Sequence, residues 1–185
     1  MKPFHVEMRT AALTALLAAV GTAQAARAAD HAMPDRAAPD RTSIAVFRDW
    51  GAFREGPANA PARCFAIAAP PPSTIAAGRG AFAAVAYWPG RRIRTQLSIH
   101  LSYALRDGEP VTLAIGDAAF ALIGHGQQAW AHDRHQDARI VAAMRSGSSM
   151  SISGIGADGH PFADVYRLRG AASAIDAAAL ACPMR

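Results

Sequence analysis

The chain has 185 residues, 51% of them hydrophobic and 18% charged, with a formal net charge of +5. That length suits one domain with a tail, large enough to bury a core without a metal staple, and the apolar share excludes wholesale disorder. Alanine makes up about a quarter of the chain and Lys2 is its only lysine, so the core is built thinly and arginine carries the positive charge.

Residues 1–25 read as a secretory signal peptide. Lys2, His5 and Arg9 make a weakly basic start, and Ala11–Val20 is an uncharged apolar run. Gly21-Thr22-Ala23-Gln24-Ala25 then supplies the small residues of a cleavage site. Cleavage after Ala25 is expected, with Ala26-Arg27-Ala28 as a second site. The apolar run is about half of the roughly 20 residues that span a bilayer, and no later apolar stretch reaches the ~18 residues of a membrane helix. No cysteine lies near the cleavage site, which excludes a lipoprotein anchor. The predicted mature chain carries about +4, no lysine and no transmembrane anchor.

Residues 26–42 are small, polar and proline-bearing, and read as a flexible linker. A single β-rich domain is expected over 43–185. Ser43–Arg54 is its first strand segment and Ala62–Ala69 the next. Pro70-Pro71-Pro72 and Gly78-Arg79-Gly80 bracket a loop too proline-rich for a helix or a central strand. Ala81–Trp88 is nearly all apolar, as in a strand buried on both faces. Thr95–Leu105 alternates Leu97, Ile99, Leu101 and Tyr103 with Ser98, His100 and Ser102, giving one dry and one wet face. Val111–Ile115 and Ala118–Ile123 flank Gly116-Asp117 as a hairpin.

His135–Arg145 reads as a short helix stopped by Gly147. Ser148–Ile155 and Phe162–Arg169 form a second hairpin around residues 157–160, and Ala171–Ala181 is a closing helix with Ser173 as its candidate cap. The expected fold is mainly β: an antiparallel β-sandwich or barrel-like domain of about eight strands, with two short helices, the last at the C-terminus.

Cys64 and Cys182 are the only cysteines. An even count in an exported chain predicts a disulfide. Closing a loop of this size is worth about 4–5 kcal/mol at most in the chain-entropy picture. The alternatives are two buried thiols or a redox pair, the latter without a C-x-x-C motif.

Candidate chemistry is sparse. His132 and His135, with Asp133 and Asp137, have spacings a zinc site can use, and a third ligand would have to come from His125 or His160. The same residues fit a polar helix start capped by Asp133. His100 lies between Ser98 and Ser102, without a G-x-S-x-G motif to make a nucleophile. Arg91, Arg92 and Arg94 follow Pro89-Gly90 and form an anion-binding candidate, beside the plainer reading of a solvated turn that blunts a sheet edge. No phosphate-loop pattern is present, and Asp164 and Asp176 stand isolated in the sequence.

Three segments resemble the invasion-associated locus B family. Phe47-Arg48-Asp49-Trp50 is similar to the F-x-D-W element that opens its mature domain. Arg63-Cys64-Phe65-Ala66-Ile67 resembles its early cysteine-bearing strand, and Tyr166-Arg167-Leu168-Arg169-Gly170, with Ala171, Ala174 and Leu180, resembles its closing strand and helix. The chain departs from the family in its cysteines, with Cys182 standing alone rather than in a close pair. The resemblance implies a small exported β-rich protein of alphaproteobacteria, a group with members linked to host-cell entry, and gives Phe47, Asp49, Trp50 and Gly170 a structural role. It implies no catalytic set.

These readings predict a periplasmic or secreted, non-enzymatic protein that binds envelope components or another protein, uses no cofactor and has no nucleic-acid partner. A metal-assisted hydrolase built on His132 and His135, and a purely structural periplasmic protein, are the alternatives.

Overall fold

The computed structural model describes residues 40–183; the signal-peptide reading of residues 1–25 and most of the 26–42 linker lie outside the described residues. The strands are β1 (Arg41–Phe47), β2 (Trp50–Glu55), β3 (Arg63–Ala68), β4 (Phe82–Trp88), β5 (Ile93–His100), β6 (Val111–Ile115), β7 (Ala118–His125), β8 (Gln128–Trp130), β9 (Ser149–Ile155) and β10 (Pro161–Arg167). The helices are α1 (Ile75–Gly78), α2 (Arg134–Ser146) and α3 (Ala171–Ala181). The mainly β class is as expected, with ten strands and three helices among the described residues rather than eight and two. All pairings are antiparallel, in the order β1-β2-β3-β4-β5-β8-β7-β6-β9-β10. The end strands β1 and β10 do not pair with each other, so the sheet curls toward a barrel without closing.

Several local expectations are corrected. The expected linker stops short of residue 42, because Arg41 and Thr42 already pair with Glu55 and Arg54. The segment Ser43–Arg54 is two strands, because Arg48 adopts a left-handed φ of 59° and reverses the chain without glycine. One turn of helix interrupts the proline-rich loop, where the Thr74 hydroxyl accepts the Ala77 N–H and donates to the Pro71 carbonyl. Strand β5 ends at His100. Ser102 is buried rather than wet: its N–H donates to Asp164 Oδ2 at 2.8 Å and its hydroxyl to Asp164 Oδ1. Asp164, isolated in sequence, thus ties the segment after β5 to β10. Helix α3 is capped by Gly170 at φ 89°, not by Ser173.

Residue parity then builds the core. In β2–β5 one face carries Trp50 and Ala52, Cys64, Ala66 and Ala68, Ala83 and Val85, and Leu97 and Ile99, all buried. The register sets Ala52, Ala66, Val85 and Leu97 on one rung and Ala68, Ala83 and Ile99 on the next. Helix α3 lies on β1–β4 and presents Ala171, Ala174, Ile175 and Ala178, each fully buried. Small side chains on both surfaces permit a close helix–sheet approach, which is what the high alanine content does here. Helix α2 packs on β5, β7 and α3 through Ile140, Val141 and Met144.

Three devices hold the layers. Cys64 and Cys182 are joined, with Sγ–Sγ 2.09 Å and Cα atoms 5.8 Å apart, so the end of α3 is stapled to β3. At the other end of α3, the β1–β2 turn meets the end of β10: Trp50 Nε1 donates to the Arg167 carbonyl at 2.9 Å and the Asp49 N–H to the Arg169 carbonyl at 3.2 Å. Gly170 sits against this seam so tightly that a Cβ would collide with the Phe47 carbonyl oxygen. Finally, β8 is only three residues long, and beyond its end the Leu97 N–H donates to Asp137 Oδ1 of α2 at 2.8 Å.

Three predictions follow from this packing, each read by urea unfolding. Ala178→Leu overfills the α3–sheet layer and costs about 1–3 kcal/mol; Leu180→Ala on the exposed face of the same helix changes stability by less than about 0.5 kcal/mol. Gly170→Ala combines a left-handed backbone with a collision and costs about 3 kcal/mol or more. Burial pushes the Asp137 carboxyl above its ordinary 3.8, against the opposing Leu97 N–H bond. A raised folded value contributes stability at low pH that is lost as pH rises through it. Asp137→Asn keeps the acceptor for Leu97 without the buried charge, so it matches or exceeds the wild type at pH 7, and that advantage disappears toward pH 4.

Candidate functional site

Among the described residues, the opposite face of β2–β5 carries no helix. Its outward residues are Phe53 and Glu55 of β2, Arg63, Phe65 and Ile67 of β3, Phe82, Ala84, Ala86 and Trp88 of β4, and Gln96, Ser98 and His100 of β5. The register alternates large and small side chains across the strands: Phe65 faces Ala86, which faces Gln96, while Ile67 faces Ala84, then Ser98, then Trp130 on β8. Small residues in the middle and rings at the sides leave a trough of about 490 Å³. Ala84, Ala86 and Ser98 floor it; Arg41, Arg63, Phe65 and Trp88 line one side, and Trp130 and Phe82 also border it. From β3 to β8 the span is about 14 Å, three strand spacings.

The arginine side is a charge ladder. Arg63 Nε donates to Glu55 Oε2 at 3.0 Å and Arg63 Nη2 to Oε1 at 2.7 Å, while Arg41 Nη2 donates to the same Oε1 at 3.2 Å. The Arg63 guanidinium lies over the Phe65 ring at 4.6 Å and near Trp88 at 5.0 Å; Arg41 lies 5.2 Å from Phe65 and Arg91 5.0 Å from Trp88. Burial pushes the Glu55 carboxyl up, but the bond to and charge of Arg63, then those of Arg41, outweigh it and hold the group below its ordinary 4.5. Glu55 therefore stays ionised and fixes both guanidinium groups in place. Two arginines share one carboxylate, so the wall keeps a surplus positive charge. Gln96 Oε1 accepts the Trp88 indole N–H at 2.9 Å, which orients the ring and commits only the carbonyl end of the amide.

The sequence-predicted residues are distributed as follows. Of Arg91, Arg92 and Arg94, none lines the trough, and Arg91 alone touches a lining residue, over the Trp88 ring. Arg92 caps the 3₁₀ turn Pro89–Arg91 with a left-handed φ of 55°; it and Arg94 are exposed and line no part of the trough. Phe47, Asp49, Trp50 and Gly170 converge at the β1–β2 seam, where Asp49 Oδ2 accepts from Arg169 Nε. His132 and His135 are exposed at the start of α2, where Asp133 Oδ1 accepts the His135 and Gln136 N–H groups at 2.8 Å and caps the helix. Among the described residues no three His, Cys, Asp or Glu side chains come together as a metal site. His100 stacks on Phe82 and bonds Gln128, not a serine. A second cavity of about 300 Å³ lies beside Ser102, Tyr103 and Asp164, where Ser102 and Asp164 already bond each other.

Arg41, Glu55, Arg63, Gln96 and Trp130 are the groove residues that sequence reading did not single out. The available signal was parity: Arg63-Phe65-Ile67 and Phe82-Ala84-Ala86-Trp88 each repeat every second residue. Reading β4 as buried on both faces concealed it, since Ala84 and Ala86 are buried yet floor the trough.

No family model matches the chain, and no curated protein matches it. Among solved structures it resembles the crystal structure of invasion associated protein B from Bartonella henselae, with a TM-score of 0.51 and 15% identity over 73% of this chain and 94% of that one. At that identity the likeness is one of fold: both chains build the same kind of mainly β domain.

Proposed function

We propose that this chain is an exported protein of the cell envelope, periplasmic or secreted, that works by binding rather than by catalysis. The observation that carries this reading is the helix-free groove, with arginine and aromatic side chains held in place by Glu55 before any ligand arrives. Preorganised cationic and aromatic surface is how a site gains affinity without paying to order its side chains. Export is supported by the leader-like residues 1–25 and by the Cys64–Cys182 bond, which suits an oxidising compartment. The fold likeness to an invasion associated protein is consistent with an envelope setting.

Intact-mass spectrometry on a periplasmic fraction of cells expressing the full chain tests the export half of this reading. The expected mass is that of a chain starting near Ala26, with both cysteines resisting alkylation until reductant is added. A full-length mass with two freely alkylating thiols overturns it.

A further inference from the structure

We infer that the groove on the open face of β3, β4, β5 and β8 takes an acidic saccharide, a short chain of sugar rings bearing carboxylates. This deepens the binding function proposed above and rests on it.

The backbone argues first. Strands β3, β4 and β5 lie inside the sheet order, paired on both sides. An extended peptide therefore finds no free strand edge here, and recognition must run through side chains. The side chains present are of two chemical kinds. One wall holds guanidinium groups: Arg41 and Arg63 share Glu55, which occupies Nε and Nη2 of Arg63 and Nη2 of Arg41. Each keeps Nη1 outside those bonds, and Arg91 adds a third charge over Trp88. Planar guanidinium forks match carboxylates, and Glu55 already demonstrates the match from within the chain. Glu55 is the only carboxylate at this wall among the described residues, so the surplus positive charge calls for an anionic ligand.

The other border holds Trp130, 37% exposed despite its size. The guanidinium groups lie over Phe65 and Trp88, and the His100 ring over Phe82. Trp130 has no such partner among the described residues. A half-exposed indole beside a flat floor is a stacking platform for the C–H face of a sugar ring. The floor of Ala84, Ala86 and Ser98 is flat because its side chains are small, and Gln96 and Ser98 offer hydrogen bonds to hydroxyl groups. The volume of about 490 Å³ falls within the usual range for small-molecule sites. With one ring stacked on Trp130, a later ring of the same short chain can set its carboxylate toward Arg41 and Arg63 across the ~14 Å span.

Titration calorimetry of the mature chain with trigalacturonate, its methyl ester and cellotriose tests this assignment. Trigalacturonate is expected to bind, and to bind more weakly as salt is raised. The neutral ester and cellotriose are expected to bind at least ~10-fold more weakly, the equivalent of about 1.4 kcal/mol. Trp130→Ala and Arg41→Ala change side chains that are partly exposed, so both variants should fold, with circular dichroism as the check. Each is expected to weaken trigalacturonate at least ~10-fold, while Arg94→Ala, outside the trough, leaves it unchanged. Equal affinity for acid and ester, no binding of trigalacturonate, or binding indifferent to both groove variants overturns the assignment. These outcomes are separate from the export test. A correctly processed, disulfide-bonded chain that ignores trigalacturonate loses the ligand class and keeps the envelope reading. A cytoplasmic, reduced chain loses that reading whatever the titration gives.

Discussion

Helix α3 reaches the sheet across alanines on both surfaces, with Ala174 and Ala178 on the helix and Ala52, Ala66, Ala68 and Ala83 beneath it. Such a contact gains little from each side chain. Its stabilisation comes from close approach and the many weak dispersion contacts this allows. A layer so thin cannot depend on packing alone, and both ends of the helix are fixed by other means. The C-terminal end is bonded covalently to β3 through Cys64 and Cys182. The N-terminal end starts at Gly170, wedged against Phe47 where Trp50 and Asp49 hold the end of β10. With one face of the half-sheet occupied by α3, the other carries no helix among the described residues, and the groove lies on that remaining face.

The same seam explains why a sheet that fails to close still behaves as one layer. The order ends at β1 and β10, which share no ladder. The Trp50 indole, the Asp49 N–H and the Asp49–Arg169 pair join the two ends at one rim instead. These are directed bonds from turns, which permit the strands to splay elsewhere. Polar ties of this kind recur wherever a ladder stops: Asp137 takes the Leu97 N–H past the end of β8, and Asp164 takes Ser102 past the end of β5. A carboxylate that replaces a missing strand satisfies a backbone donor that would otherwise be buried without a partner.

Much of the architecture was legible because it rests on local rules. The Gly116-Asp117 hairpin, the β9–β10 hairpin and the helices α2 and α3 follow from turn chemistry and periodicity that a few residues suffice to state. What was hidden depends on unusual local geometry or distant pairing. Arg48 in a left-handed turn carries no glycine to announce it. Thr74 caps a single helical turn amid prolines, too short for any period. Ser102 continues an alternation that predicts a wet face, and only Asp164, sixty-two positions away, makes it dry. The groove is the extreme case. Its wall, floor and platform come from six segments of chain, and Arg41, Glu55 and Arg63 become a site only through their cross-strand register.

Strand β4 passes between the two layers with Ala83-Ala84-Val85-Ala86 at its centre. Neighbouring alanines there answer to different constraints. Ala83 lies under α3, where a small side chain lets the helix come close; Ala84 and Ala86 line the trough, where small side chains leave it open. Divergence along this strand should therefore alternate in its consequences. Enlargement at one position endangers the fold, whereas at the next it fills the groove and leaves the fold standing. A relative that has abandoned the groove would reveal itself by bulky residues at every second position of β4, beside an Ala83 that never changes.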